Sequence, residues 1–169
     1  YIEPRYGWAM SPTRKLIYPS LGFSRAEYVR KPSFFDSYIG KRKIVHLSRI
    51  ISLRDTGEQN YFHFYNDVLA KLFYAEDTGV NLHDFTIVIS KKLFAKEFFQ
   101  FFYENTRLNG YKFHIQDQEW VAFDEGIFCK PYTHTKKYLD AARGLVQDKM
   151  ARHGSKRIFL IRAKTSLRF

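Results

Sequence analysis

The run Phe85-Thr86-Ile87-Val88-Ile89-Ser90 constrains the fold of this chain more than any other stretch. A strand with one wet face alternates apolar and polar residues. A short, nearly continuous apolar run instead suits a strand buried on both faces, as in a parallel sheet. Such a strand needs cover above and below, and its parallel neighbours need long crossovers. The flanking segments offer that cover. Asn60 to Asp77 has apolar residues at helical spacing, with Asn60 as its N-cap. Lys91 to Leu108 places Leu93, Phe94, Phe98, Phe101 and Phe102 at helical spacing, and Asn109-Gly110 stops it.

Other segments extend the alternation. Lys43 to Leu53, Tyr111 to Ile115 and Arg157 to Arg162 read as strands. Trp120 to Lys130 reads as one or two more strands around Asp124-Glu125-Gly126, whose acidic pair reads as a turn. Thr135 to His153 reads as a helix ended by Gly154. Strands alternating with helices predict an α/β fold with a mainly parallel sheet. Residues 1–42, with Pro4, Pro12, Pro19 and Pro32, read as an irregular, extended N-terminal arm holding at most short strands. Residues 43–154 then form the α/β domain. Residues 155–169 are expected to be the first strand and loop of a further domain that continues past Phe169.

Composition narrows the function. With 17 Phe and 12 Tyr among 169 residues, a packed core is available, and the composition argues against low complexity and disorder. The one cysteine, Cys129, cannot form an internal disulfide and reads as a small core hydrophobe in a reducing compartment. No stretch approaches the roughly 18 uncharged apolar residues of a membrane helix. The net charge of +11 favours anionic partners. Its carriers are scattered in groups such as Lys41-Arg42-Lys43 and Lys91-Lys92. A nucleic-acid-binding α/β module is therefore the alternative class. Against it, the aromatics lie at core-like helical spacing and are not interleaved with the basic residues. Phosphate-loop, dinucleotide, zinc-finger and nucleophile-elbow patterns are all missing, as is Asp-x-Asp. His46, His83, His114 and His134 have no partners evident from the sequence and read as structural.

Two constellations carry chemistry. His63 and Asp67 stand four apart on the first predicted helix, so an imidazole and a carboxylate share a face and can serve general-base work. The plainer readings are a satisfied core histidine and an i,i+4 pairing of Asp67 with Lys71. The second is the run from Arg162 to Arg168, which directly follows a buried strand. Arg162, Lys164 and Arg168 there suit a diphosphate, since guanidinium forks match phosphate oxygens.

Taken together, Asn60-Tyr61-Phe62-His63-Phe64-Tyr65-Asn66-Asp67-Val68-Leu69 and the later Ile158-Phe159-Leu160-Ile161-Arg162 with Arg168 resemble glycosyltransferase family 61. The similarity covers Lys43 to Phe169. It implies the Rossmann-like N-terminal domain of a two-domain GT-B enzyme, and inverting transfer from a nucleotide sugar, usually a UDP-sugar, without an obligatory metal or other cofactor. It implies Asp67 as the base, His63 orienting it or contacting donor or acceptor, and Asn60 and Asn66 at the acceptor side. Arg162, Arg168 and Lys164 would hold the donor diphosphate. The implied partner is a glycan acceptor of cell-surface or capsular polysaccharide, with no nucleic acid. The implied location is cytoplasmic, or the inner face of the membrane. A GT-B enzyme needs roughly twice this length, so this stretch alone is expected to be inactive, or a non-catalytic relative.

Overall fold

The computed structural model describes residues 1–13, 15–21, 43–130 and 135–146. Four strands form one sheet: β1 (Ile44–Ser52), β2 (Thr86–Ser90), β3 (Lys112–Gln116) and β4 (Trp120–Phe128). Their order is β3-β2-β1-β4 and every neighbouring pair is parallel. All five residues of β2 are buried, as the unbroken apolar run demands. Helix α1 (61–77) crosses over from β1 to β2. Helices α2 (Lys91–Phe94) and α3 (Glu97–Asn105) lead from β2 to β3, and α4 (Lys136–Val146) follows β4.

The core has two sides. On one, Phe64, Val68, Leu69 and Leu72 of α1 meet Phe99 and Phe102 of α3 over Ile51, Ile87 and Ile89 of the sheet. Phe64 is the hub, its ring centroid 5.2 Å from Phe98, 5.8 Å from Phe99 and 5.6 Å from Phe102. Burying a ring of this size contributes roughly 2–3 kcal/mol. On the other side Ile2 and Ala9 cover Ile50, Val88 and Val121.

The described N-terminal residues, 1–13 and 15–21, pack onto the sheet. Ile2 is fully buried and exchanges backbone hydrogen bonds with Val121 at 2.7 and 3.1 Å. Without this segment, one face of the sheet would lack its apolar cover. The helix expected from Lys91 to Leu108 is also broken. Ala95 caps α2, and Lys96 is extended at ψ 132° before α3 begins. A continuous helix would turn Glu97 inward, one turn after buried Leu93. The break re-phases the chain so that Phe99 and Phe102 enter the core, while Phe101 stays exposed. Asp124-Glu125 is no turn: β4 runs straight through it. Glu125 accepts from Arg49 Nε at 2.8 Å, and Asp124 lies 3.0 Å from His46. The expected strand at Arg157, and helix residues past Val146, fall outside the described residues.

The order 3-2-1-4 is that of the first four strands of a doubly wound sheet. The β3–β4 link departs from that plan, because residues 117–119 replace a helical crossover. Four Cα steps reach about 14 Å at most. Register pairs Trp120 with Ile44, while Gln116 lies level with Ser90. In a flat sheet these levels differ by about 33 Å along the strands. The sheet therefore coils until its two edges approach at this corner. Ile2 stitches them together: its carbonyl accepts from both Gln116 Nε2 and Val121 N.

Candidate functional site

Helix α1 is wound unevenly. Tyr61–His63 is α-helical, Phe64–Val68 forms one π-helical turn, and Leu69–Asp77 is α-helical again. The wide turn is closed by the Leu69 N–H donating to the Phe64 carbonyl, five residues back. Such turns concentrate at functional sites. Over eight residues an α-helix drifts by about 80°. A π-turn advances fewer degrees per residue, which helps keep His63, Asp67 and Lys71 along one line of the helix.

That line faces the loop after β1. His63 Nδ1 lies 2.6 Å from Asp67 Oδ2. Asp67 therefore pairs with His63 and not with Lys71. The two side chains differ in access: 26% of His63 is exposed against 4% of Asp67. Asp67 Oδ1 is buried with no hydrogen-bond partner among the described residues. Gly57 seals the ring from the loop side. A Cβ there would sit 2.7 Å from His63 Cδ2, so only glycine fits. Asn60 and Asn66 are engaged locally. Asn60 Oδ1 accepts from Phe62 N at 2.9 Å as the N-cap, and Asn66 Nδ2 donates to the Phe62 carbonyl at 2.9 Å.

One turn on, Lys71 is buried. Its Nζ donates to Asp55 Oδ2 at 2.8 Å and to the Arg54 carbonyl at 2.7 Å. Arg54 is buried too. Its guanidinium donates to Glu58 at 3.0 Å, to the Pro4 carbonyl at 3.0 Å and to Gln116 Oε1. Gly7, at φ 77°, lets the N-terminal turn close over Arg54, where any Cβ would collide with the Arg54 side chain. Burying charges is costly unless each is paired and hydrogen-bonded, and here each is. Sequence reasoning missed this network. Its one local signal is the Arg54/Glu58 spacing; Gln116 and Pro4 are remote in the chain. Cys129, just past β4, is buried as expected. Burial pushes its thiol up, against a smaller opposing pull from Lys71.

The network floors a cleft of about 940 Å³ that runs from the carboxyl ends of β1, β2 and β3 to Lys43 and Glu119, just ahead of β1 and β4. Thr56, Glu58 and Gln59 form one wall of it and residues 117–119 another. His63 and Asp67 do not line it; the His63 ring packs against Gly57 of the same loop. Burial would raise the Glu119 carboxyl. Backbone N–H groups of its own loop and nearby His114 outweigh that and hold it below the usual carboxylate range. Among the described residues, no group of three or more His, Cys, Asp or Glu stands ready for a metal ion. No helix among them is long and apolar enough to cross a membrane. Arg162, Lys164, Arg168 and His134 lie outside the described residues.

No protein-family model, no curated protein and no solved structure matches this chain. What stands is an α/β protein with a four-stranded parallel sheet of Rossmann-like order.

Proposed function

We propose that this chain is part of an inverting glycosyltransferase similar to family 61. It would move a sugar from a nucleotide sugar, a UDP-sugar, to a glycan hydroxyl in cell-surface polysaccharide synthesis. The observation that carries the reading is the 2.6 Å His63–Asp67 contact on the π-turn of α1. The motif resemblance favours Asp67 as base, whereas the geometry favours a division of labour. Asp67 is the buried carboxylate. It fixes Nδ1–H of His63, leaving Nε2 as the basic nitrogen of the more exposed ring.

In this reading Nε2 accepts the proton of the acceptor hydroxyl. The freed oxygen attacks the anomeric carbon, and the bond to the diphosphate breaks with its electrons on the departing nucleotide. Attack opposite the leaving group inverts the anomeric centre. Arg162, Lys164 and Arg168 belong to the same proposal as the groups that offset the departing charge.

The test is nucleotide release by the full-length gene product over a panel of UDP-sugars with glycan acceptors. Asp67→Asn and His63→Ala should each cost about 10²–10⁴-fold in turnover while the circular dichroism spectrum is kept. Undiminished turnover in either variant removes the pair from the chemistry.

A further inference from the structure

The cleft beyond β1, β2 and β3 is separate from the His63–Asp67 pair, and its charges are unevenly used. Its acids are all engaged. Asp55 is paired with Lys71, Glu58 with Arg54, Asp117 with Lys91 at 2.8 Å, and Glu119 with His114 at 3.1 Å. Of its five cations, Arg54 and Lys91 are spent on these acids. Arg5, Lys43 and Lys92 have no acidic partner among the described residues, and all three are exposed. Arg5 rests over the Tyr6 ring at 5.0 Å, which orients it without neutralising it.

The floor is neutral because Arg54 is paired with Glu58 and Lys71 with Asp55, and the Arg54 guanidinium is held on three sides. The side chains of Gln59 and Gln118 add exposed amides to the walls. At about 940 Å³ the cleft falls at the upper end of small-molecule sites, and it lies where ligands settle in open α/β sheets.

We propose that this cleft binds a phosphate ester, with Lys43, Lys92 and Arg5 reading the phosphate and the amides of Gln59 and Gln118 reading attached hydroxyl groups. The ester can be a soluble sugar phosphate or the monoester headgroup of phosphatidic acid, since both present a terminal phosphate with two ionisable oxygens. This inference goes beyond the glycosyl-transfer reading, because it uses neither His63 nor Asp67.

The experiment is calorimetric titration of the full-length protein with glucose 1-phosphate, with glucose and with inorganic phosphate. Flotation with vesicles of equimolar phosphatidylcholine and phosphatidic acid runs beside it. Lys43→Gln and Lys92→Gln should each weaken binding about fivefold to tenfold, the worth of one charge-assisted contact. Lys112→Gln, an exposed change at the start of β3 and outside the cleft, should leave it unchanged. Binding should weaken with added salt. Asp67→Asn should bind like the wild type, so failure of the catalytic reading leaves this result intact. Glucose 1-phosphate binding lost in the cleft variants assigns a soluble ester; vesicle binding alone, lost in the same variants, assigns a lipid. Binding that survives both cleft variants, or equal binding of glucose, overturns the proposal, as does no binding of any phosphate probe.

Discussion

Gly57→Ala tests whether the loop after β1 positions His63. The new Cβ would stand 2.7 Å from His63 Cδ2, 2.9 Å from Cγ and 3.3 Å from Cβ. Carbon atoms rest at about 3.5 Å or more, so the ring must retreat by about 0.8 Å. Its Nδ1 is held 2.6 Å from Asp67 Oδ2, and a retreat away from Asp67 opens that contact to about 3.4 Å, past hydrogen-bond range. Asp67 would then lose its one hydrogen-bond partner among the described residues. Gly57 has no left-handed φ, so backbone strain adds nothing. Crowding costs about 1–3 kcal/mol and an orphaned buried acceptor about the same. Partial relaxation of the half-buried ring brings the expected total to about 2 kcal/mol. That is a fall in Tm of about 4–8 °C for a chain of this size. Thermal unfolding by circular dichroism reads it directly. The decisive arm repeats Gly57→Ala in a His63→Ala background, where the cost should shrink below about 0.5 kcal/mol. An equal loss in both backgrounds would refute the claim that Gly57 is held for His63.

Two further outcomes follow from the buried charges. Lys71→Met leaves Asp55 ionised in a closed site and should cost about 3–5 kcal/mol in urea unfolding, while Asp55→Asn/Lys71→Met together should recover part of that loss. Cys129 has a folded pKa raised by burial, so the folded state keeps its proton where the unfolded chain loses it. Stability should therefore fall as pH climbs above about 8.5, at up to about 1.4 kcal/mol per unit, and Cys129→Ala should flatten that slope in urea midpoints between about pH 8.5 and 10.

The parts legible in the sequence are those set by local periodicity. The buried run of β2 needed no partner to be recognised, because two dry faces demand an apolar residue at every position. His63 and Asp67 were legible for the same reason: four residues along a helix is a contact whatever the tertiary fold does. Leu93 with Phe98 misled, because helical spacing across 91–108 hides a two-residue break, and only the core decides that Phe99 enters in place of Glu97. Glu125 misled in the other direction. Two acids and a glycine look like a turn until Arg49, brought alongside by β1, pairs with one of them. The Arg54–Gln116 contact joins residues 62 apart, and Ile2 covers a sheet whose strands begin forty residues later. Nothing in local pattern encodes such meetings; the coil of the sheet does.

The π-turn at Phe64–Val68 also has a meaning for how this protein can change over generations. A widened turn is the trace of one surplus residue in an otherwise regular helix. Losing that residue would tighten α1 into a more regular coil, which favours the helix by itself. Taken from between His63 and Asp67, it would cut their spacing from four residues to three, while the helix on either side keeps nearly its phase, because five residues of π-turn and four of α-helix each turn through about 400°. Single-residue deletions in this stretch thus make the local element more regular and change only the reach between imidazole and carboxylate. A lineage can therefore straighten this helix and still keep an imidazole and a carboxylate on one face, because residues three or four apart are neighbours on a regular α-helix.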